Sequence, residues 1–149
     1  MKIVSGGQTG VDRAALDVAL ELGSEVGGWC PAGRRAEDGP IDARYSLIET
    51  PSADPAQRTG WNVRDSDGTL ILTDGAGSPG TAFTEAVARR LGRPLFTQSL
   101  ASPDPEGFRL WLRTHGVNTL NVAGPRESEA PGIYRQACEV LRELLRSTS

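Results

Sequence analysis

A single histidine and only two cysteines occur in the 149 residues of this chain. Sites that hold zinc or most other transition metals are assembled from clustered histidine and cysteine, so metal ligation by the protein is poorly supplied and none is expected. Cys30 and Cys138 stand far apart in the sequence, each in an apolar setting. They read as buried free thiols, not as a disulfide or a metal pair. A Ser–His–Asp triad would have to pass through His115, and the strained Gly-x-Ser-x-Gly turn that presents such a serine is absent. On a partly apolar helix stripe, His115 reads as structural. Positive charge is not in excess either: 16 Lys and Arg stand against 19 Asp and Glu, a net charge of −3. That leaves no electrostatic basis for a nucleic-acid partner. There is no long apolar run and no leader-like start, which sets the expectation of a cytoplasmic protein with no membrane partner.

What the chain does have is glycine, 18 residues of it, with 38% hydrophobic and 23% charged residues. The balance is that of a globular protein, and the length suggests one domain over 1–149 with a substantial core. The glycines gather mostly at the ends of predicted strands, where ligand loops form. The first such place organises the rest. The apolar run Lys2-Ile3-Val4 breaks into a glycine-rich turn, and Val11, Ala14, Ala15, Val18, Ala19 and Leu22 then recur at helical spacing. Strand, tight loop and helix follow one another directly. Gly6 and Gly7 let the backbone turn sharply and a ligand approach. The N–H groups at the start of the helix favour an anion, and Thr9 and Asp12 offer polar groups beside it. The candidate ligand loop is therefore Gly6, Gly7, Gln8, Thr9, Gly10 and Asp12. It is neither a Walker A loop nor Gly-x-Gly-x-x-Gly.

A second extended run, Glu25 to Cys30, contains two glycines, which marks a close approach of another backbone or a ligand. The long polar stretch from Ala32 to Ala56 is too long for an idle connector and reads as functional or mobile, with Arg34 and Arg35 able to reach an anionic ligand. Gln57 to Asp67 reads as a short helix anchored by Trp61 and Val63. Thr69 to Thr73 is the clearest strand, apolar throughout as in a parallel strand buried on both faces. It runs into Asp74-Gly75-Ala76-Gly77-Ser78-Pro79-Gly80-Thr81 and then a helix bearing Phe83, Ala86, Val87 and Leu91. A fourth strand (Pro94 to Thr97), a helix (Pro105 to His115), a fifth strand (Asn118 to Ala123) and a last helix with Tyr134, Ala137, Cys138, Leu141, Leu144 and Leu145 on one face complete the chain.

Strands alternating with helices predict an α/β fold, a doubly wound sheet of about five parallel strands flanked by helices. Ligands of such sheets sit at the carboxyl ends of the strands. Three special loops lie at those ends: Gly6–Asp12, Gly75–Thr81 and Gly124–Arg126, the last preceded by Asn121. Gly75 to Gly80 matches Gly-x-Gly-x-x-Gly, but no acidic residue follows at the end of the next strand to hold a ribose, which argues against NAD. Gly77, Ser78, Gly80 and Thr81 remain suited to a phosphate or oxyanion.

These residues also resemble a known family. Ser5–Asp17 (SGGQTGVDRAALD), Gly28–Pro31 (GWCP), Gly33–Gly39 (GRRAEDG) and Asn121–Ser128 (NVAGPRES) are similar to the molybdenum cofactor carrier proteins. Those form the circularly permuted YpsA-like branch of the SLOG group, which also holds the lysine-decarboxylase-like enzymes. The resemblance covers nearly the whole chain. It implies a Rossmann-like fold, a homo-oligomer (dimer or tetramer), and binding of molybdenum cofactor as cargo, or of a related phosphorylated pterin- or nucleotide-like ligand. The site it implies adds Asn121, Gly124 and Arg126 to the glycine loops. The group's loop before a helix is carried by Ser78 to Glu85. The enzyme branch has Pro-Gly-Gly, a later Gly-Thr and a catalytic glutamate, whereas Ser78-Pro79 stands here in place of the doubled glycine. Two other functions are implied as alternatives. One is an N-glycosidic hydrolase of nucleoside monophosphates, with Glu85 as acid–base and Arg34 or Arg35 on the phosphate. The other is a nucleotide-sensing module without chemistry. The glycine loops are complete and the catalytic groups sparse, which favours holding a ligand over turning it over.

Overall fold

A computed structural model describes residues 1–146; the last three residues of the expected 1–149 domain lie outside the described part. The elements in chain order are β1 (Lys2–Val4), α1 (Val11–Glu21), β2 (Glu25–Gly27), β3 (Trp29–Cys30), β4 (Arg35–Ala36), β5 (Gly39–Pro40), β6 (Ile48–Glu49), α2 (Pro55–Arg64), β7 (Gly68–Thr73), α3 (Pro79–Arg90), β8 (Leu95–Ser99), α4 (Pro105–His115), β9 (Thr119–Ala123) and α5 (Ile133–Arg146). Five of the strands form one sheet in the order β2-β1-β9-β7-β8, every pairing parallel. The fold is α/β and Rossmann-like, as the alternation of periods predicts.

Ile3, Leu70, Leu72, Leu120 and Val122 point from the sheet into one core with α1, α4 and α5. Helices α2 and α3 cover the opposite face and meet over Val63, Val87 and Ala88. The distribution follows from right-handed crossovers. The moves β1 to β2 and β8 to β9 go one way along the sheet, and β2 to β7 and β7 to β8 go the other, so their helices fall on opposite faces. The chain leaves β1 and β7 in opposite directions, with the last strand, β9, between them. That is the switch point where such sheets open a crevice.

Local chemistry sets the ends of the helices. Asp54 caps α2 by accepting from the Ala56 N–H, with Pro55 at the first helical position. Helix α2 therefore starts two residues before the expected Gln57. Ser78 caps α3 in the same manner through the Thr81 N–H, and α4 begins at the Asp104 cap and ends on left-handed Gly116.

The extended run from Glu25 to Cys30 is broken where one strand was expected. Gly28 has φ 125° and lies so close to Ser5 that a Cβ would stand 3.0 Å from the Ser5 nitrogen. The close approach predicted for these glycines is thus made by the chain's own backbone. Beyond it, Trp29 and Cys30 pair with Ile48 and Glu49 in a separate small sheet. The stretch from 32 to 56 carries a short antiparallel ladder, β4 with β5, and its own core of Cys30, Ile41, Tyr45 and Leu47 packed on Leu16 of α1. Both cysteines are buried and free. Among the described residues no helix is long and apolar enough to cross a membrane.

Candidate functional site

The carboxyl ends of β1, β9 and β7 open into a cleft of about 240 Å³. Its floor is Asn121, Val122, Ala123 and Gly124 of β9 and the turn after it. One wall is the loop after β1 with Gly6, Gln8 and Asp12, and another is α3 with Pro79, Gly80 and Thr84. Across the mouth lie Pro55, Arg58, Thr59 and Asn62 of α2, with Arg126 and Glu129 after β9.

Of the residues singled out from sequence, Gly6, Gln8, Asp12, Gly80, Asn121, Gly124 and Arg126 come together in this cleft. The glycines among them have different jobs. A Cβ on Gly6 would collide with Arg58, whose Nη1 donates to the Gly6 carbonyl at 2.7 Å. A Cβ on Gly124 would stand 2.7 Å from both the Leu72 carbonyl and Val11 Cγ2, so this glycine seats α1 against the sheet. Gly80 has open space around it. The Gly80 N–H is also without a partner among the described residues, while Thr81 N bonds to the Ser78 hydroxyl and Pro79 has no N–H.

The turn after β9 lies against the start of α1. The Pro125 carbonyl accepts from the Val11 N–H at 3.1 Å, and a Cβ on Gly10 would collide with it. The Gln8 N–H donates to Asp12 Oδ2 at 3.3 Å. The first N–H of α1 is thus taken by the chain itself. Asp12 is buried, and burial lifts its carboxyl from 3.8 to about 6 despite the opposing pull of Arg58, the Gln8 N–H and Arg13. Arg58 Nη1 is 3.8 Å from Asp12 Oδ2. The rest of its guanidinium is lightly used: Nε contacts the Thr59 hydroxyl at 3.3 Å, and Nη2 has no partner among the described residues.

The other expected residues lie outside the cleft. Gly7, with φ 79°, packs under Leu47 and Ile41. Thr9 and Gly10 line a second, shallower depression with Tyr45, Tyr134 and Ser128. The Thr9 hydroxyl bonds to the Glu37 carboxylate and accepts from the Glu127 N–H at 3.1 Å. Glu37 in turn accepts from the Ser128 hydroxyl at 2.6 Å, and Gln8 Oε1 accepts from the Glu37 N–H at 2.9 Å. Hydrogen bonds from Ser128 and Thr9 hold the Glu37 carboxyl below its ordinary value. Arg34 turns inward, where its guanidinium bonds to the carbonyls of Leu47, Asp42 and Tyr45 at 3.0–3.1 Å. It ties the excursion from 32 to 50 into a fixed shape. Arg35 is exposed on β4. Ser78 caps α3 with Thr81 beside it, their hydroxyls 2.8 Å apart, and Gly77 precedes them in the turn with φ 39°. Glu85 lies nearly two turns along α3 and pairs with Arg89 at 2.6 Å.

Arg58, Thr59 and Asn62 were not anticipated, although a signal for them was present. Asp54-Pro55 is a cap followed by a first-position proline, which fixes the start of α2. From there Pro55, Arg58, Thr59 and Asn62 fall at i, i+3, i+4 and i+7, one continuous face. Asn62 itself is engaged, bonding to both the N–H and the carbonyl of Trp29 at 2.7 and 3.0 Å.

The model of the circularly permutated YpsA SLOG family matches residues 3–145 of the chain. None of the curated proteins matches it. Among solved structures, a protein of Syntrophus aciditrophicus named "putative molybdenum carrier protein" is 42% identical and superposes with a TM-score of 0.90, over 97% of this chain and 94% of that one.

Proposed function

The chain belongs to the circularly permuted YpsA SLOG family, and from that footing we propose that it binds and carries a small phosphorylated ligand in the switch-point cleft. Its cargo is molybdenum cofactor or a related phosphorylated pterin- or nucleotide-like molecule. The observation that carries this reading is the pair of unengaged donors on residues lining one cleft, Arg58 Nη2 and the Gly80 N–H at the start of α3. Charge-assisted donors and an open helix start are what a phosphate oxygen needs. Among the described residues no group of three or more His, Cys, Asp or Glu side chains is placed to hold a metal ion. The contacts on offer are therefore to the phosphorylated organic part of such a cargo. On the same reading the protein works in the cytoplasm as a homo-oligomer, which light scattering of the purified chain tests.

Carrying is favoured over N-glycosidic hydrolysis because Glu85, the carboxylate expected to serve as acid–base, is paired with Arg89 away from the cleft lining. The test is calorimetry with AMP and inorganic phosphate. Gly80→Asp, which meets no steric obstacle, should weaken binding at least about tenfold by placing a carboxylate at the phosphate position. Glu85→Gln should leave affinity within about twofold, as expected for a surface ion pair outside the site. Unchanged affinity in Gly80→Asp, or release of free base that Glu85→Gln abolishes, would overturn the reading. Mass spectrometry of what co-purifies identifies the cargo.

A further inference from the structure

We propose that Asp12 reads the ring of the bound ligand, accepting hydrogen bonds from a heterocycle that presents a lactam N–H beside an exocyclic amino group. This rests on the preceding reading that the cleft holds a phosphorylated ligand. The cleft is lined by two carboxylates, and they are not equivalent. Glu129 is engaged: its Oε1 accepts from the Arg126 N–H at 3.1 Å and lies 3.6 Å from Arg126 Nε. Asp12 is 9% exposed, and Oδ2 takes the Gln8 N–H. Its other oxygen, Oδ1, accepts no hydrogen bond among the described residues, although it is not sealed from the cleft.

The chemistry of the neighbours decides what Asp12 Oδ1 accepts. A phosphate is repelled by the carboxylate, and the unengaged donors it can use are Arg58 Nη2 and the Gly80 N–H. A metal ion finds one carboxylate with a guanidinium 3.8 Å away, which repels it. A neutral N–H donor meets neither objection. The cleft also offers apolar surface to a flat ring: its floor is Val122, Ala123 and Gly124, and Pro55 and Pro79 are among its lining residues. Asp12 Oδ1, together with the second lone pair of Oδ2, can accept from adjacent N–H and NH₂ groups, which guanine and pterin rings share and adenine lacks.

The test is calorimetry at pH 8 on the intact wild-type chain with GMP, IMP and AMP, which share the ribose phosphate and differ at the ring edge. GMP should bind at least about tenfold tighter than AMP, with IMP, which keeps the lactam N–H and lacks the amino group, between them. A pterin monophosphate titrated in parallel should also exceed AMP, and the tighter of it and GMP identifies the ring the cleft prefers. Asp12→Asn offers an amide N–H₂ or a single carbonyl oxygen in place of the carboxylate and should bring GMP and AMP to within about twofold of each other. Equal binding of GMP and AMP by the wild type would overturn this inference and leave the phosphate reading standing. So would a guanine preference that survives in Asp12→Asn. Absence of binding by all four monophosphates and by inorganic phosphate would overturn both.

Discussion

Arg58 and Asp12 face each other at 3.8 Å in the cleft without sharing a hydrogen bond, because the guanidinium nitrogen nearest the carboxylate donates to the Gly6 carbonyl instead. The pair is therefore electrostatic, and each member keeps polar capacity for something else. Removing the cation should expose what it does for the anion. Arg58→Met, which keeps the bulk of the side chain, should cost about 3 kcal/mol of stability at pH 8, where Asp12 is left as an uncompensated buried charge. The cost should shrink at pH 5, where Asp12 is protonated. Urea unfolding at the two pH values measures both, and affinity for inorganic phosphate should fall in the same variant.

Asp12 makes a second prediction about pH. Its carboxyl is lifted by burial from 3.8 to about 6, with Arg58 and Arg13 opposing. Arg126 and Glu129 are the other charged groups lining the cleft. The folded state thus takes up a proton on acidification before the unfolded state does, so this group's contribution rises as pH falls from above 6 to below 4. Above pH 6 its ionisation costs the fold about 3 kcal/mol relative to a neutral carboxyl. Asp12→Asn should accordingly be more stable than wild type at pH 8 and nearly equal to it at pH 4. Paired denaturant titrations across that range check the sign. A wild type that is the more stable of the two at pH 8 would exclude the buried-charge penalty.

Two glycines of the cleft should behave oppositely. Gly124→Ala drives a methyl to within 2.7 Å of the Leu72 carbonyl and Val11, and should cost about 1–3 kcal/mol by overpacking. Gly80→Ala meets nothing and sits in the first turn of α3, where the change should be neutral or slightly stabilising. Thermal unfolding of the two variants side by side separates a glycine required by packing from one with open space around it.

The Thr9 hydroxyl supports a fourth prediction. Thr9→Val keeps the shape and removes the bonds to Glu37 and from the Glu127 N–H. Stability should fall by about 1–3 kcal/mol, the cost of leaving such groups unpaired. Amide exchange at Glu37 and Ser128 should quicken. The Glu37 carboxyl, held low by Ser128 and Thr9, should titrate nearer its ordinary value, as carbon-detected NMR will show.

The fold was legible in the chain because each main strand and helix announces its own period, Thr69–Thr73 above all. So was the clustering of three loops at one sheet edge. Hidden from such a reading was the direction in which individual polar groups point. Arg34 looked ready for an anion and instead bonds to four backbone carbonyls, because the excursion it belongs to needs its own cross-links to hold together. At the start of α1 the first N–H bonds to a proline carbonyl 114 residues downstream. Long-range partners of that kind leave no local trace. Arg58 is hidden for another reason: α2 is a weakly apolar helix, and its cleft-lining face is marked only by the spacing of four residues.

The junction at Thr9 also bears on how this site can change. Thr9, Glu37 and Ser128 come from three separate stretches: Glu37 holds both Thr9 and Ser128, and Thr9 also accepts from the Glu127 N–H beside Ser128. Replacing any one strands its partners, so a library that varies these positions singly should return mostly losses, and surviving changes should arrive in pairs. Pro55 and Thr59 on the α2 wall make no such bonds to other loops among the described residues. New ligand preferences are therefore easiest to select on that wall, while the loops around Thr9 drift slowly and together.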